Sequence, residues 1–513
     1  MSASSPTITG SKVGITLAVM CAALMAMLDI SIVNVALTDI RASFGTPLDQ
    51  IGWVSTGYMM ANVVVIPMTG WLQRRFGYRR YFTGSILLFT VASVLCGTAW
   101  SLPSLVAFRV LQGVGGGAII PTAQSILFAR YPREEHSMAG GIFGLGAVTG
   151  PLLGPTVGGW LIDVSSWHWI FLVNVPVGIL AATLAWRFIE EPGYQRPDVR
   201  VDTFGIGLLA VGMGSLQYVL EEGNREGWDS KEILVIATVA AIALVTFFVH
   251  ELETEHPVVD LRVFANRSYS AGTGINFLLG IALFSGSYLF SLYCGAVMRY
   301  TALDIGKIFL VAGLIQIVLM PLLGKYSGKA DGRMLVAFGI ATACLSLWMN
   351  GHLTSQASFW DLARPQMVRA FAMGFIFIPL SVMALSDLSA DKRGNATGLF
   401  NLTRELGGSI GTAWMSVSLE NASKVYGSQI GESVNAYNPL VQEQLAALRG
   451  AVSTLPDPGQ SALSILSLRV QLQALIKAFN DGFLMVAALF AAGIFLVLLL
   501  KRPEPGVKIE GAH

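Results

Sequence analysis

Residues 119–154, "IIPTAQSILFARYPREEHSMAGGIFGLGAVTGPLLG", align without a gap to residues 377–412, "FIPLSVMALSDLSADKRGNATGLFNLTRELGGSIGT". Pro121 meets Pro379, Gly140 meets Gly398 and Gly150 meets Gly408. Each stretch reads as a helix, a short charged turn and a second helix crowded with small residues. Two such stretches in one register imply a chain built from two related halves. Parallel repeats related by an axis along the membrane normal are one way to build a transporter, with the substrate site between the repeats near mid-membrane.

Composition agrees with a lipid environment. The 513 residues are 53% hydrophobic and 13% charged, and the mean hydropathy is +0.61. Soluble domains carry about 25% charged residues, so an ordinary globular protein is excluded. Lys plus Arg (33) nearly balance Asp plus Glu (32), which offers nothing to nucleic acid. Cys21, Cys96, Cys294 and Cys344 all sit inside apolar runs without CxxC spacing, so neither a disulfide framework nor a metal site is expected. The first apolar run is too long for a cleavable signal peptide.

A helix needs about 20 apolar residues to cross the hydrocarbon core. On that measure spans are predicted at 14–37, 51–72, 81–100, 103–128, 137–161, 168–189, 203–220, 232–250, 270–298, 305–324, 333–351, 362–386, 396–419 and 482–500. The expected fold is therefore all-α and membrane-embedded. An N-terminal six-helix bundle (1–200) and a C-terminal one (253–513) flank an inserted helix pair (201–252). "QRRFGYRR" (73–80), "ARYPRE" (129–134), "GKYSGKADGR" (324–333) and "DKRG" (391–394) fall on the face that carries both termini. The bias of Lys and Arg toward the cytosol makes that face cytosolic. The polar segment 421–478 is expected as an outer-face loop, either a flap leading into the last span or a docking surface for an outside partner.

Glycine recurs at Gly146, Gly150, Gly154 and Gly158, with Pro151 and Pro155 in the same run. Residues four apart share a helix face. In lipid, where helices gain little from the hydrophobic effect, small residues let two backbones approach closely. The freed carbonyls beside proline are satisfied by neighbouring helices. The stripe reads as a tight contact, and its prolines as a bent span suited to rocking.

Charges inside lipid are costly, about 3 kcal/mol each on insertion scales, and mark function. Asp29, Arg109, Arg369, Arg404 and Glu405 are the ones expected within spans. Asp29 shares a narrow face with Ala22, Ala26, Val33 and Ala36. Burial disfavours a charged carboxylate and a neighbouring cation favours it, so an acid moving between those conditions can carry a proton. Arg369 and Arg404 read as structural or gating charges, and Glu405 either couples protons or pairs locally with Arg404. Asn34, Asn62, Gln124, Asn276 and Gln316 are candidate polar anchors in a cavity otherwise lined by aromatics and methionines, which suit hydrophobic cargo.

Two patterns are discounted. "GVGGGA" (113–118) fits a dinucleotide-binding expression, but no strand precedes it. "GGSIG" (407–411) fits the esterase expression without a strand-to-helix turn. No catalytic residue, metal or cofactor is expected, and energy must come from an ion gradient.

Several motifs together carry a family resemblance. "GPLLGPTVGG" (150–159) resembles the fifth-helix signature of major facilitator superfamily antiporters. "FRVLQGVGGGA" (108–118) resembles the fourth-helix motif with its embedded arginine, here Arg109. "LDISIVNVAL" (28–37) resembles the first-helix motif of drug:proton antiporters, and "GWLQRRFGYRR" (70–80) the loop between helices two and three. "WHWIFLVNVPVG" (167–178) is similar to the sixth-helix start of the fourteen-span branch, and "NLTRELGGSIGTA" (401–413) extends the likeness to the second half. The chain thus resembles multidrug exporters of the EmrB type. The resemblance implies a proton-coupled exporter of hydrophobic compounds in the inner membrane. It also implies proximity of Asp29 to Arg109, and work with a periplasmic membrane-fusion adaptor and an outer-membrane channel. Exporters of one metabolite, such as a fatty acid or siderophore, uptake symporters and a non-transporting receptor or scaffold remain alternatives. One departure stands out: Arg74 occupies the place where the loop motif usually has aspartate, so a latch built on that carboxylate cannot operate in the same way.

Overall fold

The computed structural model describes residues 8–501, apart from 9, 47, 133–134, 192–201, 256, 328–329, 386–387, 389, 435–436 and 455. Its architecture is all-helical. The first half comprises α1 (Lys12–Phe44), a short α2 (Leu48–Ile51), α3 (Trp53–Phe76), α4 (Tyr78–Gly97), α5 (Leu102–Arg130), α6 (His136–Val164), and a sixth span broken into α7 (Trp169–Leu172) and α8 (Asn174–Phe188). The inserted pair is α9 (Thr203–Glu226) and α10 (Lys231–Glu253). The second half comprises α11 (Arg267–Ala296), α12 (Ala302–Tyr326), α13 (Gly332–Asn350), α14 (Phe359–Leu385), α15 (Ala390–Ser433), α16 (Pro439–Ala451), α17 (Pro458–Ala491) and α18 (Gly493–Val497).

Helix starts are written locally. Ser101 caps α5 and exchanges bonds with Ser104, while Thr301 and Asp304 do the same for α12. These side chains satisfy amides that the first turn leaves unbonded. Among the described residues, eleven helices are long and apolar enough to cross a membrane. Two of the other long helices, α3 and α15, carry Asn62, Gln73, Asn401 and Arg404, all buried inside the protein rather than turned to lipid.

The packing repeats between halves. α1 lies on α6 and α8 as α11 lies on α15 and α17. α5 packs against α3 and α4 as α14 packs against α12 and α13. Across the seam, α6 meets α12 and, in the mirrored relation, α15 meets α3. α9 touches both α3 and α15, so the inserted pair covers one side of the seam, while α10 presents Val235, Ile242 and Val245 outward.

The glycine stripe of α6 lies against α1. A Cβ at Gly150 would overlap Met27, one at Gly154 would overlap the Ser31 hydroxyl, and one at Gly158 would come within 2.7 Å of Ile32. Ser31 Oγ donates to the Gly150 carbonyl at 3.2 Å. The helix runs unbroken through residues 151 and 155; the side chains of Pro151 and Pro155, and that of Asn34, lie outside the described ones. A second set of close crossings joins the halves on the face of the termini. A Cβ at Gly398 would come within 2.8 Å of the Ile66 carbonyl, and one at Gly141 within 3.0 Å of Gly324 Cα. Gly70 abuts the Asn395 backbone, and the Asn395 side chain clasps the segment after α10, accepting from the Asp260 amide (3.1 Å) and donating to its carbonyl (2.8 Å).

Segment 421–478 differs from the expected outer-face loop. α15 continues to Ser433, α16 follows, and α17 begins at Pro458, well before the expected 482. Leu448, Ala462 and Leu466 are buried there with Val434, Val441, Leu445, Val452 and Ile465 around them. The segment thus builds a small helical layer with a core of its own. The first span is also longer than 14–37, because α1 continues until Gly45 in the left-handed conformation (φ 62°) ends it.

The stripe yields a controlled comparison. Gly154→Val should lower the melting temperature in detergent by several degrees, since overpacking costs about 1–3 kcal/mol. Gly159→Ala, where a Cβ meets nothing within 4 Å, should leave it unchanged. Equal melting of both variants would rule out a close α1–α6 contact.

Candidate functional site

Asp29 is fully buried in α1, with Ala22, Ala26, Val33 and Ala36 of its face buried around it. Its Oδ2 accepts from Arg109 Nη1 at 2.6 Å. Its Oδ1 accepts from Gln112 Nε2 at 2.9 Å and from Asn174 Nδ2 at 2.8 Å. Arg109, 1% exposed, also donates from Nε to the Val54 carbonyl (3.0 Å) and from Nη1 to Gln112 Oε1 (2.7 Å). Gln112 Nε2 reaches Ser93 Oγ at 2.7 Å. Three spans, α1, α5 and α8, therefore meet at the carboxylate, and α3 and α4 join the network through Arg109 and Gln112. Every polar contact it makes is a donor, which suits an ionised acid.

The guanidinium of Arg109 lies 4.4 Å from the centre of the Tyr58 ring, a cation–π arrangement. Tyr58 separates this network from a small central cavity of about 20 Å³. Met27, Ile30, Ile66 and Ile120 give its wall an apolar character, while Asn62, Asn401, Arg404 and Glu405 bring polar atoms. First-half and second-half helices both contribute, so the pocket lies across the seam.

The second-half charges separate in role. Arg404 Nη2 donates to Asn401 Oδ1 at 2.9 Å, and its guanidinium sits 5.1 Å from the Phe377 ring. Asn401 Nδ2 in turn donates to Gln124 Oε1 at 2.8 Å, a buried polar bond between the halves. Arg404 thus turns toward Asn401 and Phe377, and no ion pair joins it to Glu405 among the described residues. Of the two readings of Glu405, proton coupling or local pairing, a direct contact pair with Arg404 is not formed, because successive residues of a helix point about 100° apart. Arg369 is half-buried, donating to Ser287 Oγ at 2.9 Å beside the Phe309 ring.

Of the expected cavity anchors, Asn62 lines the pocket and Gln124 is one bond behind it. Asn276 instead donates to the Phe400 carbonyl at 2.5 Å and holds α11 to α15. Gln316 is buried in α12 away from the pocket wall. Helix rotation decides these fates, and polarity alone does not reveal it.

Arg74 is exposed at the end of α3. The start of α4 beside it is held by Glu191, which accepts from the amides of Tyr78 (2.7 Å) and Arg79 (3.0 Å). Burial pushes the Glu191 carboxyl up, against the pull of those amides and of Arg79 and Arg80.

Asn174, Gln112, Ser93 and Tyr58 complete the network although charge alone does not single them out. Gln112 stands one turn from Arg109, and Asn174 lies within the sixth-helix motif. Those two positions were the available signals.

Comparisons with known proteins place this architecture. The model of the Major Facilitator Superfamily matches residues 19–412. The multidrug export protein EmrB of Haemophilus influenzae is 35% identical over 501 residues, 97% of each chain. The protein of that name from Escherichia coli K12 is 35% identical over 486 residues, covering 94% of this chain and 93% of the relative. The fatty acid resistance protein FarB of Neisseria gonorrhoeae is 32% identical over 491 residues, 95% of this chain and 96% of the relative. The crystal structure of the human organic anion transporter MFSD10 (TETRAN) shares the fold with a TM-score of 0.61 at 14% identity, over 94% of this chain and 99% of that one. The chain is a multi-pass membrane transporter that belongs to the major facilitator superfamily, in the family of the EmrB export proteins.

Proposed function

We propose that this transporter is a proton-driven antiporter that exports hydrophobic drugs or toxic compounds across the cytoplasmic membrane. One observation carries the reading: a carboxylate with no exposure to water, Asp29, is held by an arginine that is itself buried. Taking a proton on Asp29 removes the negative charge that holds Arg109. The two states therefore prefer different arrangements of α1, α5 and α8, which is what coupling requires. Glu405, on the pocket wall, is the second candidate for proton exchange. Arg369, Arg404 and Arg74 serve as structural or gating charges.

The pocket supports the cargo class, since apolar walls with few polar anchors bind greasy molecules of varied shape. The names of the EmrB relatives support multidrug export. The Neisseria relative, named for fatty acid resistance, favours a second reading in which a single amphipathic metabolite is the cargo. The bias of Lys and Arg supports cytosolic termini. In that orientation the helical layer of α15, α16 and α17 faces outward, where it would meet a periplasmic membrane-fusion adaptor leading to an outer-membrane channel.

Two tests follow. In proteoliposomes under an imposed pH difference, Asp29→Asn should cut export at least tenfold while leaving membrane levels unchanged. Unaltered export would overturn the proposal. Separately, Arg109→Leu leaves a buried carboxylate unpaired, a loss of about 3–5 kcal/mol. It should melt well below the wild type, with Asp29→Asn added in the same molecule recovering part of the loss.

A further inference from the structure

Asn174 is the first residue of α8, next to the break at Val173, and it is 1% exposed. Its Nδ2 lies 2.8 Å from Asp29 Oδ1 and 3.5 Å from Ser93 Oγ, so the amide stands between an acid of α1 and a hydroxyl of α4. Pro176, two residues on, has no N–H to bond back to the Leu172 carbonyl, which loosens the sixth span just where Asn174 sits. Nothing in transport of a hydrophobic compound requires an amide here, since it does not line the pocket.

We infer that Asn174 is a positioning residue that sets the pH at which Asp29 exchanges its proton, and that links the sixth span to the charge on the first. The inference rests on the antiport reading above. Three side-chain donors converge on the Asp29 carboxylate: Arg109, Gln112 and Asn174. Each favours the ionised form. When a proton binds, one O–H bond forms on Asp29, and the Asn174 N–H faces a neutral acid in place of an anion. Ser93 Oγ is the alternative acceptor within reach. The amide then shifts toward Ser93, and α8 moves at its break. The titratable and charged groups facing Asp29 are Arg109 from α5, Tyr58 from α3 and Cys96 from α4. α8 contributes the neutral amide of Asn174, and α6 brings Gly150, Gly154 and Gly158 and the apolar Val157 against α1.

The test is the pH profile of export by the full chain in proteoliposomes. Asn174→Leu keeps the branched shape, with bulkier methyl groups, but removes the donor, and its half-maximal pH should move about one unit alkaline. Asn174→Asp, nearly isosteric, places a second carboxylate beside Asp29. Two such acids cannot both ionise, so the profile should move further in the same direction. A lowered maximal rate with an unmoved profile in both variants would assign Asn174 a purely structural role and overturn the inference. If Asn174→Leu fails to fold, Asn174→Asp decides alone. Should Asp29→Asn export like the wild type under the same gradient, the antiport reading itself falls. If Asp29→Asn is inactive and the Asn174 profiles are unmoved, only the present inference falls.

Discussion

A charge placed inside hydrocarbon must find a partner there, and the structure is arranged around that requirement. The Asp29–Arg109 contact at 2.6 Å draws in a carbonyl of α3, the Gln112 amide of α5, Ser93 of α4 and Asn174 of α8. Stripped of any one of these groups, a buried ion would lack part of the solvation that water no longer supplies. The contact therefore orients five spans of the first half at once. The second half carries no corresponding ion pair among the described residues. Arg369 leans on a hydroxyl and a ring, and Arg404 on an amide and a ring. The halves share packing but not charge chemistry.

Motion of one half against the other depends on the seam. On the terminal face the seam is built from glycine crossings, Gly70 on Asn395, Gly398 on Ile66 and Gly141 on Gly324. Without hydrophobic drive in lipid, such close backbone contacts supply the attraction. Two polar features do cross the seam or hold its edge: the Asn401–Gln124 bond and the clasp of Asn395 on Asp260. The clasp ties the segment after the inserted pair to the same corner. The place of the usual aspartate in the nearby loop is taken by Arg74, and the carboxylate near that corner comes from Glu191, far along the chain.

The helical layer of α15, α16 and α17 follows different physics. Buried Leu448, Ala462 and Leu466, with partly buried valines around them, form a core apart from the membrane bundle, and its helices extend two of the spans.

The chain by itself determined a good deal. Length of apolar runs, the 119–154 and 377–412 repeat and the rarity of charge within spans establish a membrane bundle of two related halves, because lipid permits few other solutions. The i, i+4 glycines identified a helix contact, and Asp29 and Arg109 stood out because charge in lipid is costly. Only the tertiary structure decided which helix the stripe meets, that Gln112 and Asn174 share the Asp29 carboxylate, and that Asn62 reaches the pocket while Asn276 and Gln316 do not. The rotation of each helix about its axis causes that division. In lipid both faces of a span can be apolar, so periodicity carries no direction, and packing against neighbouring helices alone sets where a polar side chain points.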